Sequence, residues 1–149
     1  MKPASDIKPD QFSWEVTATP APEEAALIDD RLDSFNAATA PMKDVRPLAC
    51  FARLPDGKVA GGAIARTWGE CCELQQIWVD EPNRRSGIGR RLLQLVEQEA
   101  RKRGCALLYL ETFSFQSPEF YRRLGFESVC ELGGFPNGIT KHILRKCLA

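Results

Sequence analysis

Residues 88–104 constrain the fold most. Ile88, Leu92, Leu95, Val96 and Ala100 recur at helical spacing, Arg101-Lys102-Arg103 fills the last turn, and Gly104 stands where a helix-ending glycine belongs. On either side lie apolar runs too short to be helices, Cys72–Val79 and Ala106–Phe113. A strand, a long helix and a second strand make a βαβ unit, with a right-handed crossover expected.

The neighbouring segments are read around that unit. Leu48–Leu54 and Val59–Trp68 flank Pro55-Asp56-Gly57-Lys58, a turn in which Pro presets φ and Gly tolerates φ > 0. With Cys72–Val79 they form an antiparallel meander, and Gly61-Gly62 predicts a bulge or a close backbone approach. Upstream, residues 1–11 are expected to be a loose leader. Phe12, Trp14 and Val16 alternate with polar residues, which predicts a strand over Phe12–Thr19. Glu23 and Glu24 then open a helix whose Ile28, Leu32 and Phe35 should be buried on one face. Asn36 to Pro47 reads as a loop or a broken short helix. Downstream, Ser117-Pro118-Glu119 has the order of an N-cap, a first-turn proline and an acid, and Gly125 closes a helix of about two turns. Phe126–Leu132 and Ile139–Leu148 give a final pair of strands. The expectation is one α+β domain over residues 1–149, with a mixed, mainly antiparallel sheet of seven strands and about four helices.

Composition excludes several classes of function. The 149 residues carry 20 Lys+Arg and 20 Asp+Glu. Nucleic-acid and anionic-membrane binders carry a basic excess, so neither partner is expected. No run approaches the roughly 18–20 apolar residues of a membrane span, and the N-terminus lacks a signal-peptide stretch, so a cytoplasmic location is expected. Cys50, Cys71, Cys72, Cys105, Cys130 and Cys147 form no CxxC pair, and His142 is the single histidine. No metal site is expected. Buried reduced thiols are the favoured reading, ahead of a disulfide framework or a catalytic cysteine.

The chemistry points to the junction of the strand ending at Val79 and the helix beginning at Ile88. Between them lie Arg84, Arg85, Ser86, Gly87 and Gly89. Amides at a helix N-terminus lack intrahelical partners, glycines let a ligand approach the backbone, and Arg84, Arg85 and Arg90 add positive charge. Together they favour a phosphate or pyrophosphate, against the plainer reading of a glycine turn with solvated arginines. The dinucleotide-binding fingerprint fits poorly, because Leu92 occupies its third glycine position, and no Gly-Lys-Ser/Thr follows for a P-loop.

Arg84-Arg85-Ser86-Gly87-Ile88-Gly89 resembles the Arg/Gln-x-x-Gly-x-Gly/Ala signature of the GNAT superfamily, the acyl-CoA-dependent N-acetyltransferases. Leu74, Ile77 and Val79 resemble its central strand. Phe120-Tyr121-Arg122-Arg123-Leu124-Gly125-Phe126 resembles its second signature, at the family's spacing. The resemblance covers roughly residues 48–147, and the first 47 residues match only in strand–helix order. It implies that strands 72–79 and 106–113 splay apart to admit acetyl-CoA. It implies cofactor contacts from Ile77, Trp78 and Val79, from Arg84, Arg85, Ser86, Gly87, Ile88, Gly89 and Arg90, and from Ser117 and Tyr121. It also places Tyr121 as the acid that protonates the departing CoA thiolate, ahead of the plainer reading of a tyrosine packing the short helix on the sheet. Glu73 lies where some relatives keep a catalytic base, with Glu111 or water as alternatives. One departure stands out: many relatives carry an asparagine near the end of strand 106–113, where this chain has Phe113-Ser114-Phe115-Gln116.

These readings imply acetyl transfer from acetyl-CoA to a primary amine of a small molecule or peptide, by direct attack in a ternary complex. The alternatives are an acyl-CoA-binding sensor module without turnover and a domain that uses the arginine loop for another phosphate ligand. Trp14, Trp68, Trp78 and Phe135 are either core or an acceptor pocket. Asp29, Asp30, Asp33 and Asp44 either select a cationic amine or form a solvated face. Homodimerisation is left open.

Overall fold

The computed structural model describes residues 11–149, so nearly all of the expected leader, 1–11, lies outside the described residues. The described chain divides at residue 40 into two units. Among the described residues the first contains one α-helix, α1 (Pro22–Thr39), begun by a first-turn proline and two acids. No strand forms over Phe12–Thr19. Alternation makes a segment fit for one face of a sheet but supplies no neighbour to pair with. Ile28, Leu32 and Phe35 share a side of α1 yet are exposed, which corrects the expectation of a buried face. Among the described residues their unit offers no second layer to receive them.

The second unit follows the order β1 (Arg46–Arg53), β2 (Val59–Trp68), β3 (Cys71–Val79), α2 (Ile88–Lys102), β4 (Leu107–Phe113), α3 (Pro118–Arg123), β5 (Glu127–Leu132) and β6 (Lys141–Cys147). The six strands run β1-β2-β3-β4-β6-β5. Among the described residues the sheet therefore has six strands and three α-helices, rather than seven and about four. Asn36–Pro47, left open between loop and short helix, holds the end of α1 and a 3₁₀ turn at Met42–Asp44. The βαβ unit is present, with β3 and β4 parallel. Every other pairing is antiparallel.

The core lies between α2 and one sheet face. Leu92, Leu93, Val96 and Ala100 of α2 join Ala63, Ala65, Cys72, Leu74, Leu108, Leu110 and Leu144 in one buried cluster. Glu97, on the same helix, is bonded at 2.8 Å by Lys146 Nζ of β6, which fixes the helix against the far half of the sheet. The opposite face is polar along one register row: Arg66, Glu73, Tyr109, Arg145 and Glu127 face one another across five strands. Gly61 shows the expected close approach, since a Cβ there would meet the Trp78 carbonyl at 2.9 Å. The six cysteines are free. Cys72 and Cys105 are buried, Cys50 and Cys130 partly so, whereas Cys71 and Cys147 are exposed.

Candidate active site

The site begins where the sheet stops being continuous. β3 and β4 pair from Cys71↔Leu107 only as far as Leu74↔Leu110. β3 nevertheless continues on β2 to Val79, and β4 continues on β6 to Phe113. Beyond Leu74 and Leu110 the two facing edges therefore lack strand partners. The cause is visible on the other side of β3. Ala65 faces Leu74 and Ile64 faces Gln76, so Gln75 is an extra residue. Such a bulge bends and twists its strand, here at the last residue paired with β4.

The resulting gap is a cavity of about 270 Å³, lined by Leu74, Gln75, Gln76, Ile77, Leu110, Glu111, Thr112, Gln116 and Tyr121. Tyr121 comes from α3 and is 7% exposed. Its ring stands edge-on to Phe120 and Phe126, at centroid distances of 5.1 and 5.8 Å. Among the described residues its hydroxyl has no hydrogen-bond partner, and no sealed polar side-chain atom is left unpaired, so the hydroxyl opens to the cavity. Burial pushes its pKa above the ordinary phenol value.

The other end of the unpaired β3 edge meets the start of α2. Arg85 and Gly87 take left-handed backbone conformations, with φ of 62° and 88°. For Gly87, the residue before α2, that geometry costs nothing; a side chain there would be strained. The Arg91 amide is the first to bond within α2, to the Gly87 carbonyl at 3.0 Å. The amides ahead of it are the unpaired donors of a helix start. A methyl on Gly89 would touch Phe120 at 3.4 Å and Val79 at 3.8 Å. The helix start, the end of β3 and α3 thus converge.

Not every expected residue points into this space. The Arg84 guanidinium folds back to donate to the Val79 carbonyl at 3.0 Å. Ser86 donates to the Asn83 carbonyl. Glu73 lies on the paired side of the bulge, is ion-paired to Arg66, and does not line the cavity. Glu111 does line it and is ion-paired to Lys141. Ser117 holds the N-cap position of α3 in a left-handed conformation but makes no side-chain cap. It lines a second cavity of about 500 Å³ with Arg90, Ser114, Phe120 and Arg123 among its walls. Arg123, Gln75 and Gln116 escaped the sequence reading. Arg123 carried a readable signal, a second cation two residues after the motif tyrosine. Trp68, Trp78 and Phe135 are exposed on the second unit, and Trp14 is exposed on the first.

Comparison with known proteins decides the family. Residues 9–126 match the model described as the acetyltransferase (GNAT) family. The chain belongs to the GNAT family of acetyltransferases. It is 32% identical over 130 residues to the blasticidin-S acetyltransferase of Streptomyces morookaense, covering 84% of this chain and 96% of that one. It is 34% identical to an acetyltransferase of Agrobacterium fabrum, over 78% and 85% of the two chains. The crystal structure of an acetyltransferase from Bacillus cereus superposes with a TM-score of 0.74 at 26% identity, over 89% and 97% of the chains. Acetyl-CoA is the acyl donor of this GNAT enzyme. The unpaired β3 edge, the free amides at α2 and the basic second cavity fit a long, anionic thioester. Among the described residues no group of His, Cys, Asp or Glu is arranged to hold a metal ion, and no helix is long and apolar enough to cross a membrane.

Proposed function

We propose that this acetyltransferase acylates a primary amine on a small polar molecule, by direct attack while acetyl-CoA and acceptor are both bound. The reading is carried by the ending of β3–β4 pairing at Leu74 and Leu110, with the Tyr121 hydroxyl facing the space beyond. Acetyl-CoA supplies an acyl carbon activated by a thioester. The chain supplies position, charge and proton transfers.

Ile77 and the Val79 amide hold the pantetheine arm as an added strand would, because they have no partner on β4; the Val79 carbonyl already accepts from Arg84, and the Trp78 carbonyl points towards Gly61 of β2. Amides from Gly87 to Arg90 hold the pyrophosphate, supported by Arg85 and Arg90. Ser117, Arg90 and Arg123 hold the nucleotide end, which suits the polar and basic walls of the larger cavity. Arg84 and Ser86 shape the loop instead, since their side chains already bond to Val79 and Asn83.

Attack forms the C–N bond; as the adduct collapses and the C–S bond breaks, Tyr121 gives its proton to the sulfur, and the second proton shed by the nitrogen restores the phenol. The raised phenol pKa keeps the donor form populated at neutral pH. The acceptor ammonium must lose a proton before it attacks. Glu111, directly or through water, is the favoured recipient, because it is a wall residue of the cavity while Glu73 is not. Gln75, Gln76, Thr112 and Gln116 offer neutral donors and acceptors, which suits a hydroxyl- or amide-bearing amine. Similarity to the blasticidin-S enzyme supports an acceptor of antibiotic size. The test is a screen of small polar amines for acceptor-dependent loss of the thioester. Turnover with such amines is expected. Turnover only with a peptide or protein amine would overturn the acceptor assignment, and acetyl-CoA binding with no acceptor consumed would favour a sensor.

A further inference from the structure

His142, the single histidine of the chain, has no part in the chemistry above. It is buried on β6 and faces Thr112 of β4 in register, beside the cavity wall. Its Nε2 lies 3.0 Å from the Thr140 hydroxyl. Its Nδ1 lies 3.5 Å from the Arg122 guanidinium of α3 and 3.4 Å from the Glu131 carboxylate of β5. Arg122 also pairs with Glu119, one turn back on α3. Among the described residues, Arg122–His142 is the one side-chain hydrogen bond that ties α3 to the sheet. α3 is six residues long and carries Tyr121 immediately before Arg122.

A guanidinium has no lone pair to offer, so a hydrogen bond from Arg122 requires Nδ1 to accept and puts the ring proton on Nε2, towards the Thr140 hydroxyl. A second proton on the ring would turn Nδ1 into a donor facing a cation. The ring would then repel Arg122 and bond Glu131. The charged groups facing the ring are Arg122 with Glu119 from α3 and Glu131 from β5. The Glu111–Lys141 pair belongs to the positions just before the Thr112–His142 pair, whose side chains leave the other sheet face.

We propose that His142 is a positioning residue: as a neutral ring it holds α3 through Arg122 and so sets where the Tyr121 hydroxyl sits, and protonation moves that bond to Glu131 and loosens α3. The inference rests on the role proposed for Tyr121.

Because there is one histidine, nitrogen NMR on untagged, ¹⁵N-labelled protein reads its tautomer and titration directly. The neutral ring is expected as the Nε2–H tautomer. kcat is then followed against pH, at saturating acetyl-CoA and amine, for wild type, His142→Gln and His142→Ala. Glutamine keeps an oxygen for Arg122, so His142→Gln should stay within about twofold of wild type near pH 8 but lack the acid-side fall that tracks the ring. His142→Ala should lose about tenfold in kcat at all pH values, with the acetyl-CoA KM little changed. In a Tyr121→Phe background the same alanine change should have almost no further effect. An Nδ1–H tautomer, an unchanged acid limb in His142→Gln, or an additive double variant would overturn the inference. If His142→Ala does not fold, the tautomer and the His142→Gln profile decide. A fully active Tyr121→Phe would defeat the Tyr121 role itself, whereas an impaired Tyr121→Phe beside a fully active His142→Ala would defeat only His142.

Discussion

Replacing Tyr121 with Phe removes one oxygen from the cavity wall. The hydroxyl has no hydrogen-bond partner among the described residues, so its loss leaves no buried group unpaired. The ring contacts with Phe120 and Phe126 are retained. Folding stability should therefore change by less than about 1 kcal/mol, and acetyl-CoA affinity should hardly move. The rate should move. A positioned general acid contributes about 10²–10⁴-fold. A thiolate, whose conjugate acid has a pKa of about 8.5, is a better leaving group than an alkoxide, which favours the low end. A fall of about 10–100-fold in kcat is expected, or roughly 1.4–2.7 kcal/mol in the barrier. Burial holds the phenol above 10.0, so the loss should be constant across neutral pH. The assay follows thioester absorbance, because exposed Cys71 and Cys147 would react with a thiol reagent. Unchanged kcat would refute the acid role, and a matching loss of acetyl-CoA affinity or stability would mean that the residue only packs.

Four further outcomes follow from the same geometry. Gly87→Val forces a branched side chain into φ 88°, at a cost of about 1–2 kcal/mol, and should weaken acetyl-CoA binding about tenfold by calorimetry. Glu111→Gln should lower kcat about tenfold near pH 7 and recover at higher pH, where the amine deprotonates itself. Glu73→Gln, altered outside the cavity, should keep the wild-type pH–rate profile; the reverse pair of results would restore Glu73 as the base. Burial, reinforced by Cys105, pushes the Cys72 thiol from 9.0 up to about 12. Its neutral form then stabilises the fold below pH 9, and up to about 4 kcal/mol is lost as pH climbs towards 12, because the unfolded thiol ionises first. Urea unfolding across that range should show a shallower decline for Cys72→Ala; parallel declines would contradict the linkage.

Legibility in the sequence follows how local each feature is. α2 was readable because its apolar row, basic last turn and closing glycine all lie within 17 residues, 88–104. The arginine–glycine loop was readable for the same reason, since it is a strand–helix junction written in consecutive residues. Phe12–Thr19 misled because alternation says nothing about whether a neighbouring strand exists. The row on α1 misled likewise, as periodicity describes a face and not its partner. The splay followed from family resemblance, not from residue pattern. The bulge expected near Gly61 is present at Ala60, since Ala52 faces Gly61 and Arg53 faces Val59. The physical origin of the splay is a second bulge, at Gln75, which has no signature of its own. The Gln75 bulge also separates Glu73 from the cavity, which spacing from Arg84 could not reveal. Glu111, Thr112 and Gln116 meet Gln75 and Gln76 only through the parallel pairing of β3 and β4.

The central claim is that the cleft between β3 and β4 and the loop ahead of α2 form one working acetyl-CoA site. Thermal unfolding with and without acetyl-CoA, with ATP and NAD as controls, tests it most directly. A ligand at a hundred times its Kd adds about 2.7 kcal/mol, or roughly 5–10 °C for a chain of this size. The account predicts that shift with acetyl-CoA alone, and a smaller one for Gly87→Val. No shift at millimolar acetyl-CoA, or an equal shift with ATP, would contradict it.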